Sequence, residues 1–391
     1  MASSTTTMMT LSLEEEEDEI CGLYEGYSTQ RFIIITGCTA VALFGVLANM
    51  LLMAVFRRSL PSSIFLATLA TCDTVICLTY TLLFGVDASI WYKKNTTLFF
   101  LYHRYIVPVF FVAKVVQFAI PFILILITFE RYLWTCTEPK RKAFSAIFNE
   151  RGRIVTVIFV WFFSVAIRIP VLYAMKVKKF PLCDDYFRSE SLAGTPFAAT
   201  EAYEIYDFHI ITAIQMMLPF IVLLLLNFTI IKRLVAEKRE NMYPILRGAG
   251  TTAEAKKAVF SQGTIPENCV LLQVAADVIK ESLIHRSSRS KRSQLRNAIY
   301  TMLAIVTSYL VCNGVHLFLT ILERFDPSYL YDSVDSSQSS TFYIVLSDTV
   351  SICYMISSAT RIFIYAKCNP KLRQEITDYM KREKRIETNS S

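Results

Sequence analysis

Seven well-separated stretches of this chain run for about 20 residues or more with at most two charges each, the length a helix needs to cross a bilayer. They are Phe32–Phe56, Ser63–Val86, Ile106–Phe129, Ile154–Met175, Ile210–Ile231, Ala298–Leu322 and Phe342–Tyr365. A soluble domain can bury one or two such helices in its core; seven leave little room for that reading. The composition agrees, with 53% hydrophobic and only 19% charged residues and a mean hydropathy of +0.41. The expected fold is an all-α membrane protein, a seven-transmembrane helix bundle.

Orientation follows from Lys and Arg in the short connections, which favour the cytoplasm. Arg57 and Arg58 follow the first span, Lys140, Arg141, Lys142, Arg151 and Arg153 lie between the third and fourth, and segment 232–296 and the C-terminal tail are rich in both. The N-terminus is therefore expected outside and the C-terminus inside, as a multi-pass plasma-membrane protein. Lys93, Lys94 and Arg104 weaken the bias without reversing it. The opening "MASSTTTMMTLSLEEEEDE" lacks the basic start and apolar centre of a cleavable signal, so the first span is expected to do the targeting. Its acidic run reads as a solvated tail able to gather basic peptides.

The chain divides into an extracellular tail (1–31), a membrane domain (32–366) and a cytoplasmic helix and tail (367–391), with a flexible third intracellular loop at 232–296. "NCVLLQVAADVIKESLI" in that loop is too short and too charged to be another span. In "KCNPKLRQEITDYMKREKR", Leu372, Ile376 and Tyr379 fall at helical spacing among basic residues. That pattern predicts a short amphipathic eighth helix on the cytoplasmic membrane face.

At the inner end of the third span, "FILILITFERYLWTC" brings Glu130, Arg131 and Tyr132 together after a long apolar run. Other marks come one or two per span: Asn49, Asp73, Trp161, Pro219, Tyr309 with Cys312, and Tyr365. This ordered set resembles the rhodopsin-like G-protein-coupled receptors. Within them, "RYIVP" with Gln117, "ERYLWTC", "LPF" followed by Asn227, and "YLVCN" look most like invertebrate receptors for FMRFamide-like neuropeptides.

The resemblance implies a switch made of Glu130, Arg131, Tyr132 and Tyr365. Glu130 would be the resting partner of Arg131, whose freed guanidinium hydrogen-bonds a docked helix end. The inner end of the sixth span, "SKRSQLRNAIY", has no acid, so an ionic lock between spans three and six is not expected. Relatives often hold sodium at the position of Asp73. Here Arg361 replaces the usual Asn of the seventh-span motif and its Pro is missing, so an Asp73–Arg361 pair beside Asn49 is expected in sodium's place. The alternative is that Arg361 snorkels to the inner surface.

Gln117, three residues beyond Lys114 in span three, is a candidate ligand contact, and Lys114 and Arg168 are ionisable groups inside spans. These two charges read equally as ligand contacts or as structural partners of Glu204 and Asp207. The acids Asp184, Asp185, Glu190, Glu201, Glu204, Asp207 and Glu323 could each pair with the arginine of an Arg-Phe-amide peptide, or simply be solvated.

Of ten cysteines, only Cys21 and Cys183 fall in extracellular segments, where oxidation is expected. Relatives tie the top of the third span to the following outer loop, but "LYHRYIVP" offers no cysteine, so a Cys21–Cys183 disulfide is predicted. The cysteines within spans read as small apolar packing groups, and Cys368 as a plain thiol or a palmitoylation site. Of three sequons, Asn95 is the candidate glycosylation site, while Asn227 and Asn389 are misplaced for it. Span six carries "CNGV" where relatives often have Cys-Trp-x-Pro, leaving Gly314 as its source of bending.

The expected function is a receptor that binds an extracellular neuropeptide and activates a heterotrimeric G protein. Its other partners would be membrane lipid and, at the cytoplasmic face, arrestin or a kinase acting near "HRSSRSKRS". A chemosensory receptor of the same fold for a small molecule is the first alternative. A transporter or channel is the second, weakened by the absence of a repeat of broken helices. No metal cluster, phosphate loop or nucleophile constellation is visible, so neither an enzyme, a cofactor, a metal nor a nucleic-acid partner is expected.

Overall fold

The computed structural model of the chain describes residues 21–22, 29–59, 64–136, 138–233, 236, 297, 299–322 and 340–390. Glu323, the acidic run of the N-terminal tail, "HRSSRSKRS" and most of segment 232–296 lie outside the described residues. Among the described residues, seven helices are long and apolar enough to cross a membrane: Thr29–Arg58, Ile64–Lys93, Thr96–Trp134, Glu150–Ala174, Glu201–Arg233, Ile299–Leu322 and Thr341–Cys368, here spans one to seven.

Span three begins at Thr96, well before the apolar window at Ile106. Tyr102, His103 and Arg104 interrupt the hydropathy but not the helix, because Phe99, Tyr102 and Ile106 bury against a cluster that includes Val177, Phe187 and Leu192. The turn before it is tight. Lys94, at φ 50°, ends span two with its N–H on the Ile90 carbonyl, and Asn95 Oδ1 then accepts the Leu98 N–H at 3.0 Å, capping span three. Span two contains a π-helical turn at Thr81–Gly85, and span five contains two, Ile205–Ile211 and Ala213–Met217.

The chain forms two compact units. The first comprises Met1–Ile123, Arg153–Pro219 and Tyr309–Ile362. In it, Ala42, Cys77, Tyr80, Met355 and Ala359 make a buried cluster joining spans one, two and seven. Gly45 permits that closeness: a methyl added there would sit 2.7 Å from both Ala359 Cβ and Cys77 Sγ. Between spans four and five the chain folds back as an antiparallel hairpin, β1 (Met175–Lys179) on β2 (Glu190–Gly194), in register from Met175 opposite Gly194 to Lys179 opposite Glu190.

The second unit comprises Leu124–Gly152, Phe220–Ser308 and Phe363–Ser391. Leu124, Ile127, Leu223 and Ile305 are fully buried there. Phe129 meets Phe144 edge-on, with centroids 5.1 Å apart. After span seven a helix runs over Pro370–Ser390, 21 residues and so not the short helix expected. Pro370 suits a first helical position, where its missing N–H is not needed. Leu372 and Ile376 are buried while Arg373 and Asp378 are exposed, so its first turns are one-sided.

Candidate functional site

Charged side chains inside apolar spans are expensive unless paired, and each such group here marks a place to look. In the first unit, Asp73 of span two and Arg361 of span seven are 1% and 2% exposed. The Arg361 Nη1 donates to Asp73 Oδ2 at 2.6 Å. Asn49 of span one is fully buried, and its Nδ2 donates to the Gly45 carbonyl at 2.9 Å and the Ser358 carbonyl at 3.0 Å. Spans one, two and seven are thus tied through polar groups as well as apolar ones.

Arg168 of span four, 5% exposed, reaches two partners on span five. Its Nη1 donates to Asp207 Oδ1 at 3.0 Å and its Nη2 to Gln215 Oε1. Asp207 and Gln215 stand eight residues apart across the two π turns and both meet this one guanidinium. Tyr206 donates its hydroxyl to the Ile167 carbonyl in the same place. Lys114 holds its ammonium 5.1 Å from the Phe110 ring centroid, and Gln117 is half-buried.

Spans six and seven share a hydrogen-bonded chain. Tyr354 donates its hydroxyl to Asn313 Oδ1 at 2.6 Å, and His316 Nδ1 lies 3.1 Å from that hydroxyl. The single hydroxyl proton goes to Asn313, so the imidazole supplies the hydrogen from Nδ1. Asn313 in turn donates to the Tyr309 carbonyl at 2.9 Å. Span one adds a bidentate pair with span seven: Arg31 Nε to Asp348 Oδ2 at 2.8 Å, and Nη2 to Oδ1 at 3.1 Å.

Cys21 and Cys183 are joined by a disulfide, with Cα atoms 4.9 Å apart. The bond is backed by Gly22, whose N–H donates to the Arg188 carbonyl at 3.0 Å and whose carbonyl accepts from Arg188 Nε at 2.8 Å. The residue chain around Cys21 is thereby strapped to the hairpin. Asp184 and Asp185 are exposed in the hairpin loop, while Glu190 pairs with Lys179 at 3.4 Å.

In the second unit, Glu130 and Arg131 are 6% and 9% exposed, and Tyr365 is buried. The Arg131 guanidinium lies over the Trp134 ring, 3.9 Å from its centroid, one helical turn onward on span three. A cavity of about 70 Å³ opens beside Arg131 between spans three, five and six, lined by Thr128, Asn227, Tyr300 and apolar side chains. Arg233, at the inner end of span five, reaches back to span three at Tyr132, Thr135 and Cys136.

Residues 7–365 match the family described as "7 transmembrane receptor (rhodopsin family)". The chain belongs to the rhodopsin family of seven-transmembrane receptors. A Drosophila melanogaster protein named FMRFamide receptor is similar, 28% identical over 209 residues. That alignment takes in 51% of this receptor but only 37% of the relative's length.

In this receptor the acidic residues separate by surroundings. Asp207 and Glu190 are engaged by Arg168 and Lys179, whereas Asp184, Asp185, Glu201 and Glu204 are exposed. Asn95 is exposed as well, but its Oδ1 serves the start of span three. Several participants were missed in the sequence: Arg31 with Asp348, Gln215, the His316–Tyr354–Asn313 chain, Trp134 and Arg233. Only Asp348, a charge within span seven, carried a usable signal.

Proposed function

We propose that this receptor binds an amidated Arg-Phe-type peptide outside the cell and activates a heterotrimeric G protein inside it. The similarity to the Drosophila FMRFamide receptor, together with family membership, carries this reading. The N-terminus and the hairpin lie outside, and the inner ends of the spans and the Pro370–Ser390 helix face the cytoplasm, with Leu372 and Ile376 of that helix buried against the protein. The exposed acids around the hairpin loop offer partners for the peptide's arginine.

Peptide binding shifts the population toward a state in which Arg131 leaves the Trp134 ring and donates to carbonyls at the end of a docked G-protein helix. Because a stacked guanidinium keeps its N–H edges, the move changes its acceptors rather than its charge. Glu130, Tyr132 and Tyr365 support that motion, and arrestin or a kinase would use the same face.

The test is G-protein activation in cells given a panel of amidated peptides, with Arg131→Ala beside the wild type at matched surface expression. A dose-dependent response to an Arg-Phe-amide, lost in the variant, supports the reading. Silence toward every peptide from a well-expressed receptor would reject the ligand class and favour a small-molecule chemosensory ligand.

A further inference from the structure

Arg233 closes the inner end of span five onto span three with every donor group of its fork's outer edge. Nη1 donates to the Thr135 carbonyl at 3.1 Å and to the Cys136 thiol at 3.0 Å. Nη2 donates to the Tyr132 hydroxyl at 3.3 Å, and the guanidinium plane stands 4.8 Å from the Tyr132 ring centroid. No carboxylate pairs with Arg233 among the described residues. Its acceptors are instead one backbone carbonyl, that of Thr135 just past the end of span three's helix, and the side chains of Cys136 and Tyr132.

Span three's helix ends at Trp134, and the last carbonyls of a helix have no internal partner. The turn that follows is tightened, with Thr135 N–H on the Tyr132 carbonyl at 2.9 Å and Cys136 N–H on the Leu133 carbonyl at 3.0 Å. A cation at that end also opposes the negative pole of the helix. Arg233 therefore acts as a C-terminal cap supplied by another helix.

We propose that Arg233 is a latch that positions the Glu130-Arg131-Tyr132 segment in the resting receptor. The proposal rests on the signalling reading above. Span five's inner end cannot move away from span three without giving up all of these contacts at once. Tyr132, adjacent to Arg131, is held by its ring and its hydroxyl together, so release of the latch frees the residue next to the switch. A lysine at 233 would keep the charge but has a single ammonium, which cannot serve a carbonyl, a thiol and a phenol in one plane.

Arg233→Ala, Arg233→Lys and Tyr132→Phe are compared with wild type and with Lys232→Ala, a neighbouring exposed cation outside the latch. Two readouts are taken at equal surface amount or on purified full-length receptor: ligand-independent G-protein activation, and hydrogen–deuterium exchange of the Tyr132–Cys136 amides. Arg233→Ala is expected to raise basal activation several-fold and to speed exchange at Thr135 and Cys136 by at least several-fold. Arg233→Lys should retain most of both changes, Tyr132→Phe should show a smaller rise that does not add to Arg233→Ala, and Lys232→Ala should show neither.

Unchanged exchange in Arg233→Ala would overturn the latch whatever the signalling result. Faster exchange with basal activation unchanged or reduced, in a receptor that responds to ligand, would overturn its role in holding the switch. A wild type that never activates a G protein would reject the functional reading instead, and exchange would still decide the contact.

Discussion

Asp73 and Arg361 stand 288 positions apart in the chain and meet at 2.6 Å, with side chains 1% and 3% exposed. A charge pair so dry gains little over an apolar replacement, yet losing one member strands the other. Arg361→Ala should therefore lower stability by about 3–5 kcal/mol, seen as reduced surface expression and a lower melting temperature. Asp73→Asn combined with Arg361→Leu should recover most of it. Equal loss in the single and double variants would show that the pairing is not what matters.

The same geometry bears on sodium. The guanidinium already neutralises Asp73, so replacing sodium chloride by N-methylglucamine chloride at constant ionic strength should leave agonist affinity unchanged. A sodium-specific shift in wild type would mean that the cation competes with Arg361.

Cys21 and Cys183 close a loop of 162 positions. Cross-links of that kind contribute about 2–4 kcal/mol. Cys21→Ser, Cys183→Ser and the double variant should melt at the same lowered temperature, each insensitive to reductant. A single variant less stable than the double would point to harm from the orphaned thiol.

The Arg31–Asp348 pair ties span one to span seven through two hydrogen bonds with charged partners. Removing either side chain should cost about 1.5–3 kcal/mol. The exchange Arg31→Asp with Asp348→Arg should restore part of the melting temperature that each single reversal loses.

Asn95 allows two roles to be separated. Thr97→Ala removes the sequon and leaves the cap, so it should abolish any glycan shift on a gel without affecting stability. Asn95→Asp keeps a capping oxygen and should behave alike, while Asn95→Ala should also lose about 1 kcal/mol. Absence of a glycan on wild type would limit Asn95 to its structural task.

The seven spans were legible because lipid accepts only long, internally hydrogen-bonded apolar segments, and that demand writes itself into every window from Phe32 to Tyr365. The start of span three was not, because Tyr102 and His103 look like loop residues until the hairpin that Phe99 and Tyr102 pack against is known. Intramembrane charges advertise that they need partners, but not which ones. Arg168 gave no hint of Gln215, and Asp348 gave none of Arg31, since both choices depend on neighbouring helices. Arg233 was least legible. It sits where basic residues are expected near the cytoplasm, so its sequence context is fully accounted for without any contact.

The wide turns of span five have a practical consequence for comparing receptors. Each π turn holds one residue more than an α turn, so residue counts between Glu201 and Pro219 do not translate into a fixed angular position. A relative wound as an ordinary helix there, matched by counting back from its own proline, would present a different side chain to span four, displaced by about 100° for each inserted residue. Ligand contacts transferred onto this receptor across that stretch should be assigned by direction around the axis, not by ordinal position.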